Sequence, residues 1–270
     1  YIAIALSGGV IGLFLFVFIH AIHAQTDNYK LIKTIPTTAK HIYTDRLANL
    51  YLIENYEIKK FDNEGVFFKS YNFKDIGVLQ YFDATNPLKL MLFKPEFNVI
   101  RNLDNRMNLQ GEINLNQFVQ LGLPRLACVS DDGNYWIYDQ QNQQLIKVNP
   151  SGKVLIVGNS FNQFLNQNIN PKQLIAAENW LLLSNNDTSL LVFDRYGNYY
   201  RNIQLPHNLN IQVSANQLLF FDGQKLTSID LNNYKETTIS NQIMQQALEV
   251  RLELHRIFIL KNDSIAIYSF

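Results

Sequence analysis

A single cysteine in 270 residues, Cys128, excludes an intramolecular disulfide, a CxxC redox pair and a cysteine-based zinc site. It sits in the apolar run Leu126-Ala127-Cys128-Val129, where a buried and unreactive thiol is expected. Excess charge is missing too. The 23 basic and 23 acidic side chains cancel, so nothing calls for a phosphate backbone or an anionic membrane surface as partner. No basic cluster interleaves with aromatics as nucleic-acid binding requires. No GxSxG elbow, phosphate-binding glycine loop or HExxH helix occurs. No linker rich in Pro, Gly or Ser divides the chain, which predicts one domain over residues 25–270.

What is present begins with an apolar stretch. From Ile2 to Ala24 there is no Asp, Glu, Lys or Arg, and the densest part, Val10 to Ile19, has the length of a signal-peptide hydrophobic region. Ala24 suits the position before cleavage, while Ile22 is a poorer match to the small residue expected two places earlier. Residues 1–24 are therefore read as a signal peptide, with an uncleaved anchor as the alternative, since the stretch approaches the roughly 20 residues that span a bilayer. Either reading predicts a domain outside the cytoplasm, in the periplasm or outer cell envelope. Membrane contact is expected only through this segment, if it is uncleaved.

The rest of the chain repeats. Third strands of a recurring unit end at Asp62, Asp104, Asn149, Asp194, Asp230 and Ser269, spaced by 42, 45, 45, 36 and 39 residues. Periods near 40 belong to four-stranded propeller blades. Three copies carry an Asx residue and then Gly three places later: Asp62 and Gly65, Asn149 and Gly152, Asp194 and Gly197. The Asx side chain can bond the following backbone, and Gly supplies a positive φ. A second mark, an Asn just before the second strand, recurs at Asn49, Asn86, Asn134, Asn179 and Asn216, where a left-handed conformation is expected. Second strands such as Tyr135-Trp136-Ile137-Tyr138 are almost wholly apolar, which suits burial between blades. The last copy lacks a fourth strand, and Tyr29 to Ile35 reads as an orphan strand that supplies it. The predicted fold is all-β: a six-bladed β-propeller closed by an N-terminal strand completing the last blade.

Over roughly residues 29–270 these repeats resemble those of TolB-like and NHL-like six-bladed propellers. The high Asn and Gln content and the apolar leader are also similar to exported propellers of Bacteroidetes-type bacteria. The resemblance implies a fold more than a function, because such propellers include protein-binding scaffolds, ligand binders and a minority of hydrolases and lactonases.

Candidate chemistry centres on the ends of the first strands. Asp45, Asp83, Asp131 and Glu178 would form part of a ring at the channel if the blades were equivalent, and such a ring could hold a hard cation such as calcium. The simpler expectation, adopted here, is that each acid opens its own hairpin turn. Ala215 and Leu252 at the later equivalents break the ring. His41, His207 and His255 lie far apart in the repeat and are expected in structural or surface roles, while His20 and His23 fall in the leader. The two longest connectors share Asn-Gln-Phe, at Asn116-Gln117-Phe118 and Asn162-Gln163-Phe164, which predicts packing roles for Phe118 and Phe164. These two, with Tyr196, Tyr199, Tyr200 and Arg201, are the candidate partner contacts. No catalytic residue and no cofactor is expected. The functional expectation is a non-catalytic envelope scaffold that docks another protein. Its rivals are a metal-dependent hydrolase or lactonase using the channel acids, and a glycan-binding propeller.

Overall fold

The computed structural model describes residues 29–77, 79–118, 120–165, 169–185, 188–206 and 210–270. The expected leader, residues 1–24, and His207 lie outside the described residues. The first strand, β1 (Lys30–Pro36), precedes blade 1, which holds β2 (Ile42–Thr44), β3 (Leu50–Glu54), β4 (Glu57–Phe61) and β5 (Phe67–Asn72). Blade 2 holds β6 (Tyr81–Asp83), β7 (Leu90–Lys94), β8 (Val99–Leu103) and β9 (Leu109–Asn114). Blade 3 holds β10 (Pro124–Val129), β11 (Tyr135–Asp139), β12 (Gln144–Val148) and β13 (Val154–Val157). Blade 4 holds β14 (Pro171–Ala177), β15 (Trp180–Asn185), β16 (Ser189–Asp194) and β17 (Tyr199–Gln204). Blade 5 holds β18 (Ile211–Ser214), β19 (Gln217–Phe221), β20 (Leu226–Asp230) and β21 (Glu236–Ile239). Blade 6 holds β22 (Glu249–Glu253), β23 (Arg256–Leu260) and β24 (Ser264–Ser269).

Blade 6 takes its outer strand from the other end of the chain. Its order is β1-β24-β23-β22, with β1 antiparallel to β24 from Lys30 opposite Ser269 to Pro36 opposite Ser264. The six four-stranded blades form a ring, as the repeat predicts. Second and third strands are buried because each blade is sandwiched between two others. Tyr135 to Asp139 and Leu190 to Phe193 are buried without a break, whereas the outer strand β17 is almost wholly exposed.

Turns between third and outer strands clamp a blade to the one before it. Asp62 Oδ1 accepts from the backbone N–H of Glu64 (3.0 Å) and Val66 (2.8 Å), and Gly65 takes φ +76°. A Cβ at Gly65 would meet Ile267 of blade 6 at 2.9 Å, so glycine is needed for close approach as well as for φ. Asp194 and Gly197 repeat the turn against Trp136 of blade 3. A further copy was hidden in the sequence. Asp104 accepts from Arg106 and Asn108, with Met107 at φ +63° in the glycine slot and its side chain buried in the blade 1 cluster beside Tyr51 and Ile58. Burying the Met side chain offsets the roughly 1–2 kcal/mol that the left-handed conformation costs a non-glycine residue. Lys60 of blade 1 adds a bond to Asn105 O (2.8 Å) in the same turn, and Arg256 of blade 6 bonds Asn63 O (2.9 Å).

One expectation needs correction. In the inner hairpins the left-handed residue precedes the recurring Asn. It is Ala48 (φ 59°), Gly133 (φ 76°) and Glu178 (φ 51°), while only Asn216 (φ 62°) adopts it itself. The turn is closed by Ala48 N–H on Asp45 O and Asp45 N–H on Asn49 O, which puts the special conformation one place earlier. Asn49 instead donates its side-chain amide to Asp45 Oδ2 (2.8 Å). In the connectors the deeply buried anchors are Leu115 and Phe161, ahead of the shared triplet, with Phe118 and Phe164 half-buried beside them. Phe118 covers Gly152, where a Cβ would lie 2.0 Å from its ring.

Deleting residues 30–36 is expected to lower unfolding stability by at least about 3 kcal/mol, measured by urea denaturation, because it exposes the β24 edge and opens the ring. An unchanged midpoint would refute closure.

Candidate functional site: the central channel

The six inner strands β2, β6, β10, β14, β18 and β22 each enter from a connector and leave through a hairpin, so they run the same way around the axis. They enclose a cavity of about 260 Å³. Its polar chemistry is concentrated on β22, where strand alternation puts Glu249, Arg251 and Glu253 on one side.

Glu249 is the hub between three blades. Its Oε1 accepts from Arg251 Nε (2.8 Å) and a second guanidinium N–H (2.6 Å), and its Oε2 lies 3.2 Å from His41 Nδ1 of blade 1. Arg251 also donates to Ile211 O of blade 5 (3.1 Å). Burial alone would push the Glu249 carboxyl up, but Arg251 and the His41 contact outweigh it and hold it below the usual range. The same hydrogen bond to Glu249 raises His41. Glu253 has no such cation. Gln212 Nε2 and the Ser214 hydroxyl, both of blade 5, donate to its two oxygens at 2.7 Å each. Burial dominates, the nearby Asp45 adds to it, and Glu253 is pushed up to about 7.

The four acids expected at the channel do not converge. Asp45 is fully buried and serves its own hairpin through Leu47 N (2.9 Å), Asn49 N (3.0 Å) and Asn49 Nδ2, with Tyr51 OH at 2.7 Å. Asp83 accepts from Thr85 N (2.9 Å) in its own turn and from Val129 N (2.8 Å) in blade 3. Asp131 and Glu178 depart from the own-turn expectation. Asp131 pairs with Arg46 of blade 1 (2.6 Å), and Glu178 accepts from Asn216 of blade 5 (2.7 Å). Asp131 is one place out of register, because Ser130 makes the backbone bonds in blade 3 that Asp45 makes in blade 1. Among the described residues no three His, Cys, Asp or Glu side chains are grouped to hold a metal ion.

The aromatic candidates divide between two flanks of blade 4. Phe164 stacks on Tyr199 with ring centroids 4.9 Å apart, on the side toward blade 3. On the other side Tyr200 lies 5.2 Å from Trp180, and the Arg201 guanidinium sits 3.7 Å above the Tyr234 ring of blade 5. Tyr196 is exposed at the tip of its turn, and Phe118 lies apart, in the cluster between blades 2 and 3. Sequence reading missed Glu249, Arg251, Glu253, Gln212 and the role of His41. The signal was there as charges at alternate positions in Glu249-Val250-Arg251-Leu252-Glu253.

No protein-family model and no curated protein sequence matches the chain. Solved structures do. The chain is similar to a catalytically inactive virginiamycin B lyase from Staphylococcus aureus with quinupristin, at TM-score 0.59 and 12% identity over 90% of this chain and 99% of that one. It is similar to the Neurospora crassa Pan2 WD40 domain, at TM-score 0.56 and 12% identity over 86% and 79%. The extracellular domain of a putative one-component system from B. thetaiotaomicron matches at TM-score 0.52 and 13% identity, over 85% of this chain and 32% of that one. At these identities the likeness shows the propeller fold.

Glu253 generates a pH test. Its folded-state value of about 7 lies above the ordinary 4.5, so the folded protein binds its proton more tightly than the unfolded chain. Stability is therefore expected to fall as pH rises from about 4.5 to about 7, by about 3 kcal/mol from this group. Glu253→Gln keeps both hydrogen bonds and should flatten that decline in urea denaturation across the window. His41, also raised, contributes a loss of the same sign above about 6.5, and the mutant–native difference removes it. An unaltered pH profile in the variant would refute the assignment.

Proposed function

We propose that this chain is a non-catalytic propeller, exported to the cell envelope, that docks another protein through the hairpin end of its ring. One observation carries the reading. Leu254, Leu47 and Leu88, on the inner hairpins of the consecutive blades 6, 1 and 2, are 57%, 56% and 69% exposed. Scattered surface leucines need no explanation, but three at matching tips of neighbouring blades make an apolar arc. The other half of that end is polar, with Asp131, Asp132 and Glu178 on blades 3 and 4. An apolar arc beside a charged one suits a protein surface with an apolar centre and a polar rim.

Exposed Tyr196, Tyr200 and Arg201, backed by half-buried Trp180 and Tyr234, add a second group of the composition favoured at contact hot spots. Phe164 and Tyr199 extend it around blade 4. Phe118 serves packing in this reading. Export is supported by the uncharged stretch from Ile2 to Ala24 and by the likeness to an extracellular domain. The Asx–Gly turns and the blade count support a place among TolB-like and NHL-like propellers.

A photo-crosslinking residue at Leu47 is expected to give a discrete adduct in intact cells, which the same residue at Lys69 on an outer strand does not give. Leu88→Ser with Leu254→Ser should abolish the adduct while leaving stability within about 0.5 kcal/mol, as exposed sites do. An adduct that survives both substitutions would contradict docking at this end.

A further inference from the structure

Hydrogen bonds between neighbouring inner strands act as rungs that give the depth of each residue in the channel. His41 meets Glu249 near the connector mouth. One rung in, Gln173 and Arg251 both bond the backbone of Ile211, and a rung further Gln212 joins Thr44 to Leu252. Tyr43, between His41 and Thr44, stands level with Arg251 and close enough to feel its charge.

The charged groups here are already engaged by the protein. Glu249 holds Arg251, Asp83 accepts from two backbone N–H groups, Glu253 accepts from Gln212 and Ser214, and Lys172 is engaged as well. What is left over is neutral. The Tyr43 hydroxyl makes no hydrogen bond to a described residue, and it is not sealed in the core, so it opens onto the cavity. Burial raises the Tyr43 phenol, which keeps it a neutral hydroxyl, donor and acceptor at once. Gln173 gives Oε1 to Ile211 N (3.1 Å) and keeps both amide protons. The Thr44 hydroxyl accepts from Gln212 Nε2 (3.2 Å) and keeps its own proton. The rings of Tyr81 and Phe82 from blade 2, and Leu126 from blade 3, line the same space.

We propose that the channel binds one neutral sugar of hexose size, its hydroxyls on Tyr43, Gln173 and Arg251 and a C–H face against Tyr81 and Leu126. A lining in which polar and apolar groups share the surface suits a ligand that is itself both. Sugar hydroxyls need donors and acceptors at close spacing, which a free phenol, a free amide and the spare guanidinium N–H groups supply. Ring C–H groups settle on aromatic faces, where the quadrupole is negative. An aliphatic tail would leave those polar groups unpaired, at a cost for each. The size fits. At about 30 Å³ per water, about 260 Å³ holds roughly eight waters, and a pyranose takes the place of about six. The site stands independently of protein docking at the hairpin end, and either can fail without the other.

Calorimetric titration of the protein at neutral pH tests this, with glucose, galactose and mannose as probes and cyclohexanol and acetate as controls. At least one hexose is expected to bind saturably, with Kd on the order of 1 mM, and at least tenfold more tightly than either control. Tyr43→Phe removes a hydroxyl that no other side chain leans on, so the melting curve should not change. It should weaken that hexose by about fivefold, the worth of one neutral hydrogen bond. Gln173→Glu keeps the acceptor for Ile211 N, loses the amide donors, and should weaken binding several-fold. Cyclohexanol binding as tightly as the hexose would overturn recognition through hydroxyls, and acetate binding as tightly would overturn the choice of a neutral ligand. No saturable binding of any of the three hexoses, or binding indifferent to both substitutions, would overturn the site.

Discussion

The pairing of β1 with β24 joins residues more than 200 positions apart, Ile35 beside Ile265 and Thr34 beside Ala266. A ring of blades has one seam, and here it falls inside a sheet rather than between two sheets. Left unpaired, β24 would expose an edge, and blade 6 would lose one of its four strands. The channel depends on this pairing, because its lining residues come from all six inner strands and hold their places only while every blade is wedged between two neighbours. Ile35, Ile265 and Ile267 belong to the same cluster as Ile42, Leu50 and Leu52 of blade 1, so closure also builds core.

Blade 6 is fastened a second time at the axis. Glu249 and Arg251 reach blades 1 and 5, and Glu253 reaches blade 5. Buried charges of this kind are expensive unless every partner is in place, and here each carboxylate oxygen has a donor. The arrangement trades stability for a defined register between the closing blade and its neighbours.

Much of the fold was legible because its determinants are local. A period near 40, an Asx side chain closing each outer turn and an apolar second strand all lie within one repeat. What escaped reading depended on neighbours. Met107 disguised a turn because a side chain in the glycine slot is tolerated only where the preceding blade offers a pocket for it. Asp131 looked equivalent to Asp45, yet a one-residue difference in hairpin register gives that place to Ser130. Leu88 lies two places before the buried β7 and yet stands at an exposed hairpin tip. The polar centre of the channel was hardest to see, since His41 and Glu249 are separated by 208 positions and meet only when the ring closes.

Amide hydrogen exchange through β24 tests the central claim most directly. If β1 closes the ring, the amides of Ile265 to Ser269 that face β1 should exchange only on global unfolding, with the same denaturant dependence as those of β11 in blade 3. Fast exchange of those amides, independent of denaturant, would mean that β1 frays freely and that closure does not hold the propeller together.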